Sequence, residues 1–304
     1  RVVNQAGLVQ ANSVRERNGK IEIYASETLM LSPGSRTIAR GGNDGPSNGG
    51  TILAIADRSR GTAKFEKGAT VDVSGGNAGG NAGFIELSGS RVGLGGRFIG
   101  TAHAGFLGGR LLIDPTMDLD LTGSTATDFS NISFATPRDA LGNLLPDYDL
   151  RVTGFFDLNS VQPPPTGGTI RFDAGRDLIF RDLTLWNNPF GTPTKWDIVG
   201  VAERNIQFTG FAGTTLQTAY GGGIDLLAKT GNVNLIDPQT GALSTIRTQG
   251  GGGISIKTGQ DLIASTGFDE NGGAMGLFNI QGINIDGPGR LNLDVGRDFI
   301  GGPG

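Results

Sequence analysis

The chain contains no cysteine. That removes disulfides, thiolate nucleophiles and cysteine-ligated zinc or iron–sulfur sites together. Histidine is nearly missing as well. His103 stands alone, so a histidine-based metal site or triad lacks its parts. No apolar run approaches the roughly 18 residues of a membrane-spanning helix, and no secretory leader pattern opens the sequence. There is no excess of positive charge. The 25 basic and 29 acidic residues leave a net charge of −4, which argues against a phosphate backbone and hence a nucleic-acid partner.

Glycine is what the chain has in abundance, 54 of 304 residues, where a usual share is about 7%. The glycines are not spaced every third residue, which excludes collagen. With 13 prolines the combined fraction stays under the roughly 25–30% that signals disorder. Apolar residues make up 37% and many alternate regularly, so a core can form. The sequence starts Arg1-Val2-Val3-Asn4 and ends Gly301-Gly302-Pro303-Gly304, both in mid-pattern, and reads as part of something longer.

One phrase recurs along the chain. Over residues 168–180, apolar side chains fall at Ile170, Phe172 and Ala174. A polar corner follows, Gly175-Arg176-Asp177, and then Leu178 and Phe180. The phrase returns as Leu291, Leu293, Val295, Gly296-Arg297-Asp298, Phe299, and as Ile254, Ile256, Thr258, Gly259-Gln260-Asp261, Leu262, Ala264. Further copies are Ile21, Ile23, Ala25, Ser26-Glu27-Thr28, Leu29, Leu31 and Ile198, Gly200, Ala202, Glu203-Arg204-Asn205, Ile206, Phe208. Ile224, Leu226 and Ala228 lead to Val233 and Leu235 with one extra corner residue, and looser copies begin near Leu53, Ile85 and Leu111. Intervals of about 26–32 residues mean stacked repeats rather than one globular core.

Within each copy the apolar period is two, so the units are strands. Short strands joined by Gly-rich corners predict an all-β chain, a parallel β-helix (solenoid) of about ten coils spaced about 4.8 Å apart. The inward set comprises Ile170, Phe172, Leu178, Ile254, Ile256, Leu262, Leu291 and Leu293. Glycine would supply positive φ at the corners. A β-sandwich is the competing architecture, but sandwiches rarely repeat one phrase in register.

The solenoid is expected to run over 1–304 as one shaft with two departures. Residues 123–166 lack the phrase and carry Pro137, Pro146 and Pro163-Pro164-Pro165; they read as an irregular insertion, with a short helix possible over 139–145. Residues 186–195 read as an exposed loop.

Three segments resemble those of filamentous-haemagglutinin-like exoproteins. They are Val2-Val3-Asn4-Gln5-Ala6-Gly7-Leu8-Val9-Gln10-Ala11-Asn12, Gly83-Phe84-Ile85-Glu86-Leu87-Ser88-Gly89, and Gly109-Arg110-Leu111-Leu112-Ile113-Asp114-Pro115-Thr116. The last, similar to a G-x-L-L-I-D-P-T signature, is the most specific. The resemblance covers residues 1–120 well and 167–304 only through the generic coil phrase. It implies a right-handed β-helix and a secreted, cell-surface location on a Gram-negative bacterium. It also implies export by two-partner secretion through an outer-membrane transporter. No Asn-Pro-Asn of the family's secretion domain occurs, so the transporter would be met through a domain not present here. The implied function is adhesion, toxin presentation or haem acquisition. Implied partners are a receptor or glycan on a host or neighbouring cell, and other copies of the chain in fibres.

Candidate sites are few. Asp177, Asp261 and Asp298 share one corner, which a calcium or acid ladder would also produce. The tandem Gly-Gly-x-Gly-x-Asp of calcium-binding repeats is missing, and Asp at a turn hydrogen-bonds nearby amides. Asp118/Asp120 and Asp147/Asp149 lie two apart and could each share one strand face, as the paired carboxylates of a β-helix lyase or hydrolase would; most such pairs are solvated strand edges. No nucleophile elbow or phosphate loop occurs. His103 reads as an exposed polar residue rather than a haem ligand. The expectation is therefore no enzyme, no catalytic residues, no metal and no cofactor, with a carbohydrate-active enzyme or a haem-carrying exoprotein as alternatives. Phe155, Phe156, Trp186 and Phe190 cluster at the two departures as possible partner contacts. Aromatics there can equally seal coils or pin an excursion.

Overall fold

The computed structural model describes residues 2–10, 19–121, 129, 131–139, 141, 143–157, 168–187, 189–190, 193–265 and 282–302. It is an all-β, parallel β-solenoid, with no helix among the described residues. The chain divides into two compact units, Arg1–Ala135 with Ser160–Thr169, and Thr136–Asn159 with Ile170–Gly304.

In the first unit each coil has three sides. On the first, Lys20–Ala25, Thr51–Ala56, Phe84–Leu94 and Arg110–Asp120 pair in parallel, followed by Asn131–Ala135. Their register puts Ile21, Ile52, Ile85, Leu111 and Ile132 in one column, all buried. On the second side Leu29, Ala63, Val92 and Leu119 align in the same way. The third side stacks Leu8–Gln10, Arg36–Ile38, Thr70–Asp72 and Arg97–Ile99. Phe98 from this side lies on Phe65 from the second, ring centroids 4.4 Å apart. Stacking like on like satisfies the main-chain ladder and closes the core in one step.

The second unit repeats the plan. Ile198, Ile224, Ile254 and Leu291 stack on its first side, and Leu178, Ile206, Val233, Leu262 and Phe299 on its second. Leu185, Leu216, Ile246 and Ile283 stack on its third. Phe172, Phe180 and Phe208 form an aromatic file, with centroid separations of 5.3 and 5.2 Å. The copies read from the sequence are thus the spatial register here.

Four expectations need correction. The copy near Leu53 is one residue out of phase: Ile52 stacks on Ile21, and Leu53 faces outward opposite Glu22. Thr51–Ala56 is apolar on both parities, so alternation alone does not choose the face. Leu291 shares Ile254's register but is exposed, because among the described residues a coil covers it on one side only. Over 139–145 the described residues make a turn, not a helix. Arg138 and Leu144 form an antiparallel bridge, and the Asp139 carboxylate accepts the amides of Leu141 and Asn143, both at 2.9 Å. Such side-chain bonding competes with helix formation.

The fourth concerns glycine. Positive φ explains corners such as Gly210, but Gly83 and Gly252 do not have it. A Cβ on Gly83 would stand 1.9 Å from the Gly50 carbonyl oxygen, and one on Gly252 1.8 Å from that of Gly222. Close approach of consecutive coils, more than turn conformation, selects glycine at these positions.

Candidate functional site

The polar corners of the second unit form a ladder. Asp149, Asp177, Asn205, Asn232, Asp261 and Asp298 occupy one position in successive coils. The side-chain Oδ1 of each of the first five accepts the backbone N–H of the next, at 3.3, 3.1, 2.9, 2.9 and 3.2 Å. Arginine joins wherever the acceptor is charged. Arg176 Nε donates to Asp149 at 2.6 Å, Arg204 Nε to Asp177 at 2.7 Å and Arg297 Nε to Asp261 at 2.7 Å. Above the neutral Asn205 and Asn232 the same corner position carries Gly231 and Gln260. Charge is therefore met step by step.

The amide that each Asp serves lies 28 to 37 residues away, not in its own turn, which corrects the local-capping expectation. Burial pushes the Asp149 carboxyl up, but bonds from Arg176 and the Asp177 amide outweigh it and hold it below the usual carboxylate range. The Arg297 bond holds Asp261 low against its burial. A carboxylate so engaged has little left for a cation. Among the described residues no three His, Asp or Glu side chains gather into a cation site.

The carboxylate pairs divide between the ladder, an ion pair and the surface. Asp149 belongs to the ladder and Asp147 is exposed, while Asp118 accepts from Arg91 Nε at 3.4 Å and Asp120 lies on an exposed position of the same strand.

The four aromatics divide. Phe156 is 3% exposed and registers with Leu185, so it seals the stack and is no partner contact. Phe155, one residue earlier on the alternating strand Leu150–Asp157, is 48% exposed. Trp186 ends Leu178–Trp186 half-buried. Phe190 is 90% exposed on a loop held at its base. There Tyr220 Oη donates to the Pro189 carbonyl at 2.6 Å, and Asn187 Nδ2 to that of Thr194 at 3.0 Å. Phe211, also exposed, escaped the sequence reading. Its flanking Gly210 and Gly213 both have positive φ, and the Gly-Phe-Ala-Gly string was the available signal.

The first unit carries an open groove on the continuation of its third side, of about 340 Å³. Three coils line it: Arg40 from one, Asp72, Ser74 and Asn77 from the next, Thr101 and the exposed His103 from a third. Arg40 Nη2 donates to Asn77 Oδ1 at 2.9 Å, and Asn77 Nδ2 to Asn43 Oδ1 at 2.9 Å. The Asp72 Oδ1 is taken by the Ser74 amide and hydroxyl at 2.9 and 2.6 Å. Compared with known proteins, the chain matches no family model, no curated protein and no solved structure.

Proposed function

We propose that the chain is a non-catalytic structural and binding segment of a secreted, cell-surface adhesin-like protein. On this reading it belongs to the shaft of a filamentous-haemagglutinin-like exoprotein exported by two-partner secretion. The observation that carries the reading is the inter-coil ladder of the second unit. Side chains that could have formed a reactive centre, Asp149, Asp177 and Asp261, are spent on joining one coil to the next. Such coils depend mainly on their neighbours, so a stack can lengthen without redesign and can fold progressively as it emerges from a transporter. The conspicuous exposed aromatics, Phe155 and Phe190, sit on strand and loop surfaces suited to a receptor, a glycan or another copy of the chain.

Two measurements test the reading. Incubation with pectin or polygalacturonate, with and without calcium, should release no product. Turnover that vanishes in Asp118→Asn or Asp147→Asn would replace the shaft by an enzyme. The full-length precursor should carry an amino-terminal secretion domain with an Asn-Pro-Asn-Gly-type motif; a precursor without one removes the two-partner-secretion assignment.

A further inference from the structure

The third side of the first unit collects positive charge on a chain whose net charge is negative. Arg36 and Arg97 register on either side of Thr70. Both are exposed, while their strand neighbours Thr37 and Phe98 are buried, so the two arginines face outward. They stand two coil spacings apart, about 10 Å. Neither pairs with a carboxylate among the described residues. Asp72 follows Thr70 by two positions, about 7 Å along the strand, and opens the groove that contains Arg40.

Arg40 spends a single N–H on a protein acceptor, Asn77, out of the five a guanidinium carries. It too has no carboxylate partner among the described residues. Among the described residues the face therefore presents three arginines against Asp72, and that carboxylate already accepts two bonds from Ser74. Around them lie the Thr101 hydroxyl and the Asn77 amide. Such groups exchange hydrogen bonds readily with sugar hydroxyls.

We propose that this face binds an acidic polysaccharide of the polyuronate class. Arg36, Arg40 and Arg97 engage its carboxylates, and the groove residues Ser74, Asn77 and Thr101 engage its hydroxyls. The proposal rests on the binding-segment reading above and names its ligand. Charge complementarity selects an anion, since arginine matches a planar carboxylate with two parallel bonds. The modest excess of cations, with Asp72 among them, suits about one charge per sugar rather than a densely sulfated chain. A linear polymer fits because Arg36 and Arg97 stand two coils apart along the stack, about 10 Å, near the span of two consecutive sugar residues. A nucleic acid would need a larger basic field and stacking aromatics, neither of which this face has.

The test titrates the whole 304-residue chain with oligogalacturonate, its methyl ester and heparin by calorimetry at low and moderate salt. Oligogalacturonate should bind, more weakly as salt rises, and the neutral ester should not. Arg36→Gln, Arg40→Gln and Arg97→Gln should each weaken binding about tenfold. Arg181→Gln, an exposed arginine of the second unit, should leave it unchanged. Arg36 and Arg97 variants should melt like the parent, so they decide the matter even if Arg40→Gln perturbs folding. Equal binding of the methyl ester, a preference for heparin, or three Gln variants that bind like the parent would each overturn the proposal. Release of unsaturated uronate during the titration would instead sink the non-catalytic reading and leave the binding face standing.

Discussion

At the scale of single residues, two substitutions probe what holds a coil in place. Ile256 is fully buried, registered between Leu226 and Leu293. Ile256→Asp places a charge in that column with no partner, at a cost of roughly 3–5 kcal/mol. Urea unfolding followed by circular dichroism should show a lower midpoint; a midpoint like the parent's would mean that the side chain does not face the core. Gly252→Ala adds one carbon where the Gly222 carbonyl oxygen already stands at 1.8 Å. The coils must then separate locally, costing about 1–3 kcal/mol. An unchanged melting temperature would show that the coils yield there without strain. The sequence marked Ile256 correctly through its alternation. For glycine it offered only the general expectation of positive φ at corners, which Gly252 does not adopt, because contact with a coil some 30 residues away in the chain leaves no local pattern.

The corner ladder belongs to the scale of the element. Its rule is that a charged acceptor is met by an arginine from the next coil and a neutral one is not. Asn232 and Gln260 make one of the neutral steps, with the Asp261 amide donating to Asn232 Oδ1 at 2.9 Å. Asn232→Asp introduces a carboxylate with no cation above it and should destabilise by about 1 kcal/mol. Adding Gln260→Arg recreates the Asp149–Arg176 arrangement and should recover most of that loss. A double-mutant cycle measured by chemical unfolding gives the coupling directly; a coupling of zero would mean that the observed Arg–Asp pairs contribute nothing to stacking. The Arg and Asp letters were visible at the corners, yet their pairing crosses coils. Gly175-Arg176-Asp177 looks like a self-contained turn, whereas Arg176 reaches Asp149 and Asp177 is reached by Arg204.

At the scale of the whole molecule, depressed carboxyls occur in both units, but Glu22 and Asp57 of the first hold only local surface partners, whereas those of the second join coils and turns. Asp149, Asp237, Asp261 and Asp286 all have carboxyls held below their ordinary range. Burial opposes the shift in each case. The Arg297 bond outweighs it for Asp261; for Asp149 the Arg176 and Asp177-amide bonds do so together, for Asp286 those of Arg247 and Gln249, and for Asp237 the amides of Gly210, Gln239 and Thr240. A depressed folded-state value means that the stabilisation is present above the unfolded carboxylate range, about pH 4. It is lost as pH falls through the lower folded values. Below about pH 4 amide exchange should therefore accelerate first in residues 170–302, while 19–121 stay protected. Uniform loss of protection, or earlier loss in the first unit, would show that the ladder does not govern acid stability.

The sequence by itself determined the class of this protein. A two-residue apolar period inside a repeat of about thirty residues admits few solutions other than parallel strands stacked coil on coil, and Ile198, Ile224 and Ile254 are in register where their phrases align. It also excluded cysteine chemistry and drew attention to the group Phe155, Phe156, Trp186 and Phe190. Tertiary structure alone decided the rest. Phe155 and Phe156 are neighbours of identical chemistry, and only the pleat against Thr184 and Leu185 sends one outward and the other inward. Arg36 and Arg40 lie on one coil and Arg97 two coils further on, and no shared motif links them. They come to one face because three turns of the solenoid place them there. Periodicity is a local property that the chain writes out in order, whereas contacts between coils depend on which residues the stack superimposes, and that is settled only when the coils are laid down.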